Sequence, residues 1–166
     1  MAENKLEFIP VTEQTIEQYI PVFCETMLPK AQQEFELIAK PGEQIQDTIV
    51  NAVKMLQDAF FVMFGSNVLA IAGRRKIEHD GVVLSFLLVS TTSFIKKYFK
   101  QFYIASKKFI QQVENDSDII IFSVPEDYDR SRAIARRLGF TKISVDDYKG
   151  CKIVTKILRC NNGVDR

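Results

Sequence analysis

The spacing of apolar and polar positions divides this chain into a helical first third, a strand-rich centre and a mixed end. Leu6 to Val11 is a short apolar stretch near Pro10 and predicts a first strand. Thr12 is placed to cap a helix over residues 13–20, because its hydroxyl can accept a bond from an orphan amide of the first turn. Pro21 is expected to interrupt that helix, with at most a second turn over 22–28 before Pro29. After the break at Pro41-Gly42, Ile45, Ile49, Val53 and Leu56 recur at helical spacing and predict an amphipathic helix of roughly fifteen residues.

The centre changes to strand periodicity. Apolar runs at 59–64 and 68–73 flank Gly65-Ser66-Asn67, which has hairpin-turn composition. Arg74-Arg75-Lys76 and His79-Asp80-Gly81 read as a polar connection to a continuous apolar run at 82–89, as in a strand buried on both faces. Thr91, Thr92 or Ser93 can cap a long helix over 94–114, with Ile95, Tyr98, Phe99, Phe102, Ala105, Phe109 and Val113 in one stripe. A buried strand over 118–124 ends at Pro125, and a helix over 129–138 stops at Gly139, suited to the left-handed position past a helix end. Strands at 140–145 and 151–158 close the chain.

Composition narrows the picture only a little. The 166 residues suit one domain (1–160, with a frayed tail at 161–166), and 46% hydrophobic with 26% charged residues is ordinary for a soluble globular protein. A net charge of +1 argues against a protein that coats nucleic acid everywhere. Cys24, Cys151 and Cys160 are too scattered for a disulfide framework, and a lone His79 leaves too few ligands for a metal site, so none is expected. No apolar run is long enough to span a bilayer, and the start of the chain has no signal-peptide core, which predicts a cytoplasmic protein.

The order β-α-α-β-β-β-α-β-α-β-β, ending in Ser131-Arg-Ala-Ile-Ala-Arg-Arg-Leu-Gly139-Phe140, resembles the GNAT superfamily of N-acetyltransferases. The Leu-Gly-Phe corner and the Tyr148-Lys149-Gly150 turn before the last strand carry the likeness. It implies an α/β (α+β) fold with a central mixed, mostly antiparallel sheet flanked by helices. Within that superfamily the pattern is similar to GNAT-like proteins of tailed bacteriophages, including the internal virion protein A family. That would place the chain in a host cytoplasm or a virion, with other virion proteins or a second copy of itself as partners.

The resemblance also sets chemical requirements. The family cradles the cofactor pyrophosphate in a glycine-rich loop after the fourth strand, where backbone amides and a helix N-terminus approach the phosphates. Here no glycine lies between Gly81 and Gly139. The corresponding stretch supplies Val89, Ser90, Thr91, Thr92, Ser93, Lys96 and Lys97, to which the topology would add Arg130; these are the candidate acetyl-CoA-binding residues. The family's tyrosine general acid falls at Ala135, and a methyl group donates no proton. Tyr128 and Tyr148 are the only substitutes the resemblance offers, while Glu78, His79 and Asp80 are nominated as bases by proximity alone.

Two readings stay open. In one, a GNAT-like scaffold with a degenerate cofactor site acts through protein contacts, or through nucleic acid held by the basic helix faces (Lys100, Lys107, Lys108; Arg132, Arg136, Arg137). In the other, the chain is an acetyl-CoA-dependent N-acetyltransferase with an unconventional cofactor loop. The bland alternative for the lysines and arginines is the solvated faces of two amphipathic helices, and for His79 a solvated loop histidine.

Overall fold

The computed structural model describes residues 4–125, 129–143 and 151–158. Strand β1 (Leu6–Pro10) is followed by helices α1 (Glu13–Thr26), α2 (Pro29–Ile38) and α3 (Ile45–Lys54). Strands β2 (Asp58–Phe64), β3 (Asn67–His79) and β4 (Val82–Thr91) come next, then a 3-10 turn at Ser93–Lys96 and helix α4 (Phe99–Glu114). Strand β5 (Ile119–Pro125), helix α5 (Asp129–Arg137) and strands β6 (Lys142–Ile143) and β7 (Cys151–Ile157) complete the order. Hydrogen-bonded neighbours in the sheet run β1-β2-β3-β4-β5-β7-β6. The described pairings are antiparallel except for β4 with β5, which run parallel from Leu84↔Ile119 to Leu87↔Phe122. The fold is therefore the mixed, mostly antiparallel GNAT-like sheet with helices.

Helices α1 to α4 all depart from the sequence expectation, α3 by being shorter: it has 10 residues, ends at Lys54 and leaves Leu56 outside it. Helix α1 runs through Pro21 to Thr26. A proline in a helix interior loses a backbone bond and crowds the preceding turn, but Ile20 and Phe23, both fully buried, anchor the helix on either side of it. Helix α2 was not expected at all. Pro29 occupies its first turn, where a missing N–H is harmless, and Ala31 and Phe35 bury one face. The long helix does not begin at Phe94: Thr92 caps a 3-10 turn instead, and α4 starts at Phe99.

The chain divides into two compact units, 1–75 with 88–106 and 76–87 with 107–166. The core of the first joins Ile16, Ile20 and Phe23 of α1, Phe35 of α2, Ile49 and Val53 of α3, and Phe61, Met63, Val68 and Ile71 of β2 and β3. Helices α1 and α2 both pack on α3. Thr12 caps α1 as expected, in a reciprocal arrangement with Thr15.

In the second unit, β7 pairs with both β5 and β6. The buried hydroxyls of Ser85 and Ser117 lie 2.7 Å apart and tie β4 to the turn before β5. Helix α5 ends in a paired cap: Phe140 N–H donates to Ala135 O at 2.9 Å and Gly139 N–H to Arg136 O at 3.0 Å. Gly139 has φ +92°, the left-handed backbone the sequence assigned to it.

The β3–β4 connection is tighter than its polar composition suggested. Strand β3 continues to His79, and only Asp80 (φ 51°) and Gly81 (φ 75°) turn the chain. A two-residue turn with positive φ at both positions matches the twist of a hairpin.

Candidate active site at the end of strand β4

The C-terminal end of β4 belongs to the first unit and is held from two sides. Toward β3, Thr92 N–H donates to Leu69 O at 3.0 Å, and the Thr92 hydroxyl donates to Val68 O at 2.7 Å. Toward the α1–α2 connection, Leu28 N–H donates to Thr91 O at 3.1 Å, and Met27 forms an antiparallel bridge with Thr92. The exit of β4 and the entry of α2 are thus one hydrogen-bonded corner.

Each candidate residue has a definite place there. Val89 and Thr91 are half-buried, and Thr91 lends its carbonyl to Leu28. Ser90 is 3% exposed, and its hydroxyl has no hydrogen-bond partner, the single such side chain among the described residues. Thr92 is fully buried and faces the protein, its hydroxyl also accepting from Phe94 N–H at 3.3 Å. The first amides of the 3-10 turn therefore bond within the chain: Phe94 to the Thr92 hydroxyl, Ile95 to Thr92 O and Lys97 to Phe94 O.

Ser93, Lys96 and Lys97 are exposed, with the Lys97 ammonium 5.2 Å from the Tyr98 ring centroid. Tyr98 in turn packs against Phe64 with ring centroids 4.9 Å apart. Arg130 is exposed in the first turn of α5, in the second unit. Ala135 is buried in the last turn of α5, where its carbonyl serves the cap and its methyl group offers no proton. Tyr128 and Tyr148 lie outside the described residues. His79 is exposed at the tip of the β3–β4 hairpin, 3.3 Å from Asp80.

One charged group of the first unit escaped the sequence reading. Glu34, on α2, is half-buried and makes no hydrogen bond or ion pair among the described residues, and burial pushes its carboxyl up to about 7. Its acidic neighbours are engaged: Glu36 accepts from Gln32 at 2.8 Å, and Glu43 accepts from Lys40 N–H, Thr48 and Asn51. The signal was Ala31 and Phe35 at helical spacing behind Pro29, which predicts α2 and sets Glu34 on the flank of its buried face.

No family profile matches the sequence, and no curated protein matches it. Solved structures do. An acetyltransferase from Thermus thermophilus superposes with a TM-score of 0.65 at 15% identity, covering 95% of this chain and 100% of that one. The ribosomal-protein-S18-alanine N-acetyltransferase of Escherichia coli gives 0.62 at 9% identity, over 96% and 99% of the two chains. A ribosomal L7/L12 alpha-N-protein acetyltransferase in complex with coenzyme A gives 0.56 at 11% identity, over 95% and 97%. The chain has the GNAT fold.

The GNAT fold does not by itself bring a working site, so the residues present must be weighed against coenzyme A. A buried hydroxyl without a partner is the kind of group a bound polar atom would satisfy, and Ser90 supplies one. Ser93, Lys96 and Lys97 are free of the protein interior and suit phosphate oxygens. The glycine cradle has no counterpart, since the described glycines are Gly42, Gly65, Gly73, Gly81 and Gly139. Among the described residues no group of three or more His, Cys, Asp or Glu could hold a metal ion, and no helix is long and apolar enough to cross a membrane.

Proposed function

We propose that this protein is an acyl-CoA-dependent N-acetyltransferase with a serine- and lysine-based cofactor loop in place of the glycine cradle. The observation that carries the reading is the Ser90 hydroxyl, buried and unsatisfied at the end of β4 in a chain with the acetyltransferase fold. Leaving a buried donor unpaired costs about 1–3 kcal/mol, a cost that a ligand atom in the same place removes. An acyl-CoA offers amide and thioester oxygens for such a bond, and the thioester supplies the acyl group for transfer. Ser90 would hold that arm, Ser93 would bond a phosphate oxygen, and Lys96 and Lys97 would neutralise the phosphates from the solvent side.

A second reading is favoured by Thr92. Its hydroxyl and the first amides of the 3-10 turn bond one another, so that turn offers a phosphate fewer donors than an open helix start. On this reading the GNAT scaffold works without transfer, through a protein partner or through nucleic acid on exposed lysines such as Lys100, Lys107 and Lys108. A virion-associated role rests on the sequence pattern alone.

Thermal unfolding with and without millimolar acetyl-CoA separates the two. A ligand at about a hundred times its dissociation constant adds about 2.7 kcal/mol, which raises the midpoint of a domain this size by several degrees. A rise with acetyl-CoA, absent with adenosine bisphosphate controls, supports transfer. An unchanged midpoint sinks the acetyltransferase reading and leaves the scaffold.

A further inference from the structure

We propose that strand β1 pairs edge to edge with β1 of a second copy of this chain, antiparallel and centred on Leu6. The acyl-transfer reading makes no use of this surface.

The open edge follows from the ladder on its other side. Among the described residues β1 is the outer strand of the sheet and bonds to β2 alone. Its register runs from Leu6↔Phe64 to Pro10↔Phe60 without a shift. Just beyond its two ends, Val11 N–H donates to Ala59 O at 3.0 Å and Gly65 N–H to Lys5 O at 3.2 Å. Bonded pairs alternate along an antiparallel ladder, so Lys5, Glu7, Ile9 and Val11 turn their backbone groups to β2. Leu6 and Phe8 turn theirs outward, away from the sheet. Outward groups of this kind are a template for another strand. Pro10 bounds the template: it has no N–H, and its carbonyl accepts from the Thr15 hydroxyl at 2.9 Å.

Charge selects the occupant and the register. Lys5 and Glu7 are exposed and, two residues apart, share one face of the strand. Two copies of β1 related by a twofold axis can pair about several centres. Centred on Lys5 or on Glu7, the pairing sets like charges directly opposite, which is unfavourable. Centred on Phe8 or Ile9, it sets Pro10 against an outward residue, with no N–H to give and a carbonyl already engaged. Centred on Leu6, it lets the two Leu6 residues exchange bonds and pairs Phe8 with Asn4 of the other copy. Lys5 of each copy then stands opposite Glu7 of the other. Both opposite-charge pairs fall at non-hydrogen-bonded positions, where facing side chains are closest. The edge is complementary to itself.

The apolar face agrees with that register. Phe8 is 37% exposed, its ring edge-on to Phe60 with centroids 5.3 Å apart. Leu6 shares that face by the alternation of the strand. In the Leu6-centred pairing, Leu6 of the second copy is the diagonal neighbour of Phe8, a separation an aromatic ring can bridge. The contact is short, so the dimer is a reversible one whose population grows with concentration.

The test uses the whole chain. Sedimentation velocity and amide exchange by NMR are read over one concentration series up to millimolar protein. The mass is expected to rise toward the dimer while the Leu6 and Phe8 amides slow in step, with Glu7 and Ile9 slow throughout. A monomer at every concentration overturns the proposal, whether those two amides stay fast or are covered by the chain itself. A dimer in which both amides stay fast overturns it as well. Glu7→Lys sets lysines opposite one another and is expected to raise the dimer Kd at least about fivefold. Adding Lys5→Glu should restore it to within about twofold. A double variant as weak as the single one overturns the Leu6-centred register. Leu6→Pro removes an outward N–H and spares the β1–β2 bonds, so a folded monomer is expected. A folded Leu6→Pro variant that dimerises like the wild type overturns the edge pairing.

Discussion

The Thr92 hydroxyl donates to the Val68 carbonyl oxygen across 2.7 Å inside the first unit, and this bond decides how the chain leaves β4. The inward-facing side chain also caps the 3-10 turn at Ser93–Lys96, and two residues before it Ser90 is the buried hydroxyl without a partner.

Thr92→Val keeps the shape and removes the hydroxyl. It is expected to cost about 1–3 kcal/mol, because Val68 O loses its donor and Phe94 N–H its cap. Urea unfolding measures it, with Thr92→Ser as the variant that keeps most of the stability.

Ser90→Ala should behave in the opposite way. The free protein is expected to be unchanged or more stable by up to about 1 kcal/mol, since an unsatisfied buried group disappears. Acetyl-CoA affinity should fall severalfold in a calorimetric titration. Unchanged affinity would remove Ser90 from the site.

Glu34 gives stability a definite pH dependence. Its folded carboxyl titrates at about 7 against an ordinary value of 4.5, so the folded state holds an extra proton between the two. Stability from this group is complete below pH 4.5 and is lost as pH rises through 7. Glu43, held below the usual range by the Lys40 N–H and the Thr48 and Asn51 side chains, acts only below pH 4.5 and with the opposite sign. Denaturant midpoints at pH 5 and pH 8 therefore report Glu34. Wild type should lose on the order of 1–2 kcal/mol between them, given its partial access to solvent, and Glu34→Gln should lose much less.

Gly139→Ala is expected to destabilise by about 1–3 kcal/mol, through strain at φ +92° and contact with Lys156. A Cβ there would sit 2.9 Å from Lys156 Cε and Nζ, while the Lys156 ammonium donates to Leu138 O at 2.9 Å and pairs with Glu114. Moving the lysine aside would break both bonds. Thermal unfolding of the single variant and of its combination with Lys156→Met separates strain from collision.

Lys96→Ala and Lys97→Ala should each weaken acetyl-CoA binding by about two- to fivefold, the scale of one exposed charge. Lys107→Ala, further along α4, should leave it unchanged. Equal effects from all three in one titration would dissolve the phosphate assignment.

Much of the fold was legible because it is written in local pattern. The apolar runs of β2 and β3, the spacing of Ile45, Ile49 and Val53, the Thr12 cap and the left-handed Gly139 each follow from neighbours in sequence. Where the reading failed, a local rule met a tertiary force. Pro21 should end a helix, but the burial of Ile20 and Phe23 outweighs the lost bond. Phe94 should open α4, but Val68 O is within reach of the hydroxyl that caps the turn.

The sequence by itself determined the order of the strands, the missing glycines after β4 and the methyl group at position 135, since these depend on which residues occur and how they are spaced, while α2 and the 3-10 turn emerged only in the fold. Only the tertiary structure decided which of three adjacent hydroxyls is buried unpaired and which glutamate loses its water. Burial is a property of what packs around a side chain in three dimensions, which the local order of residues does not specify.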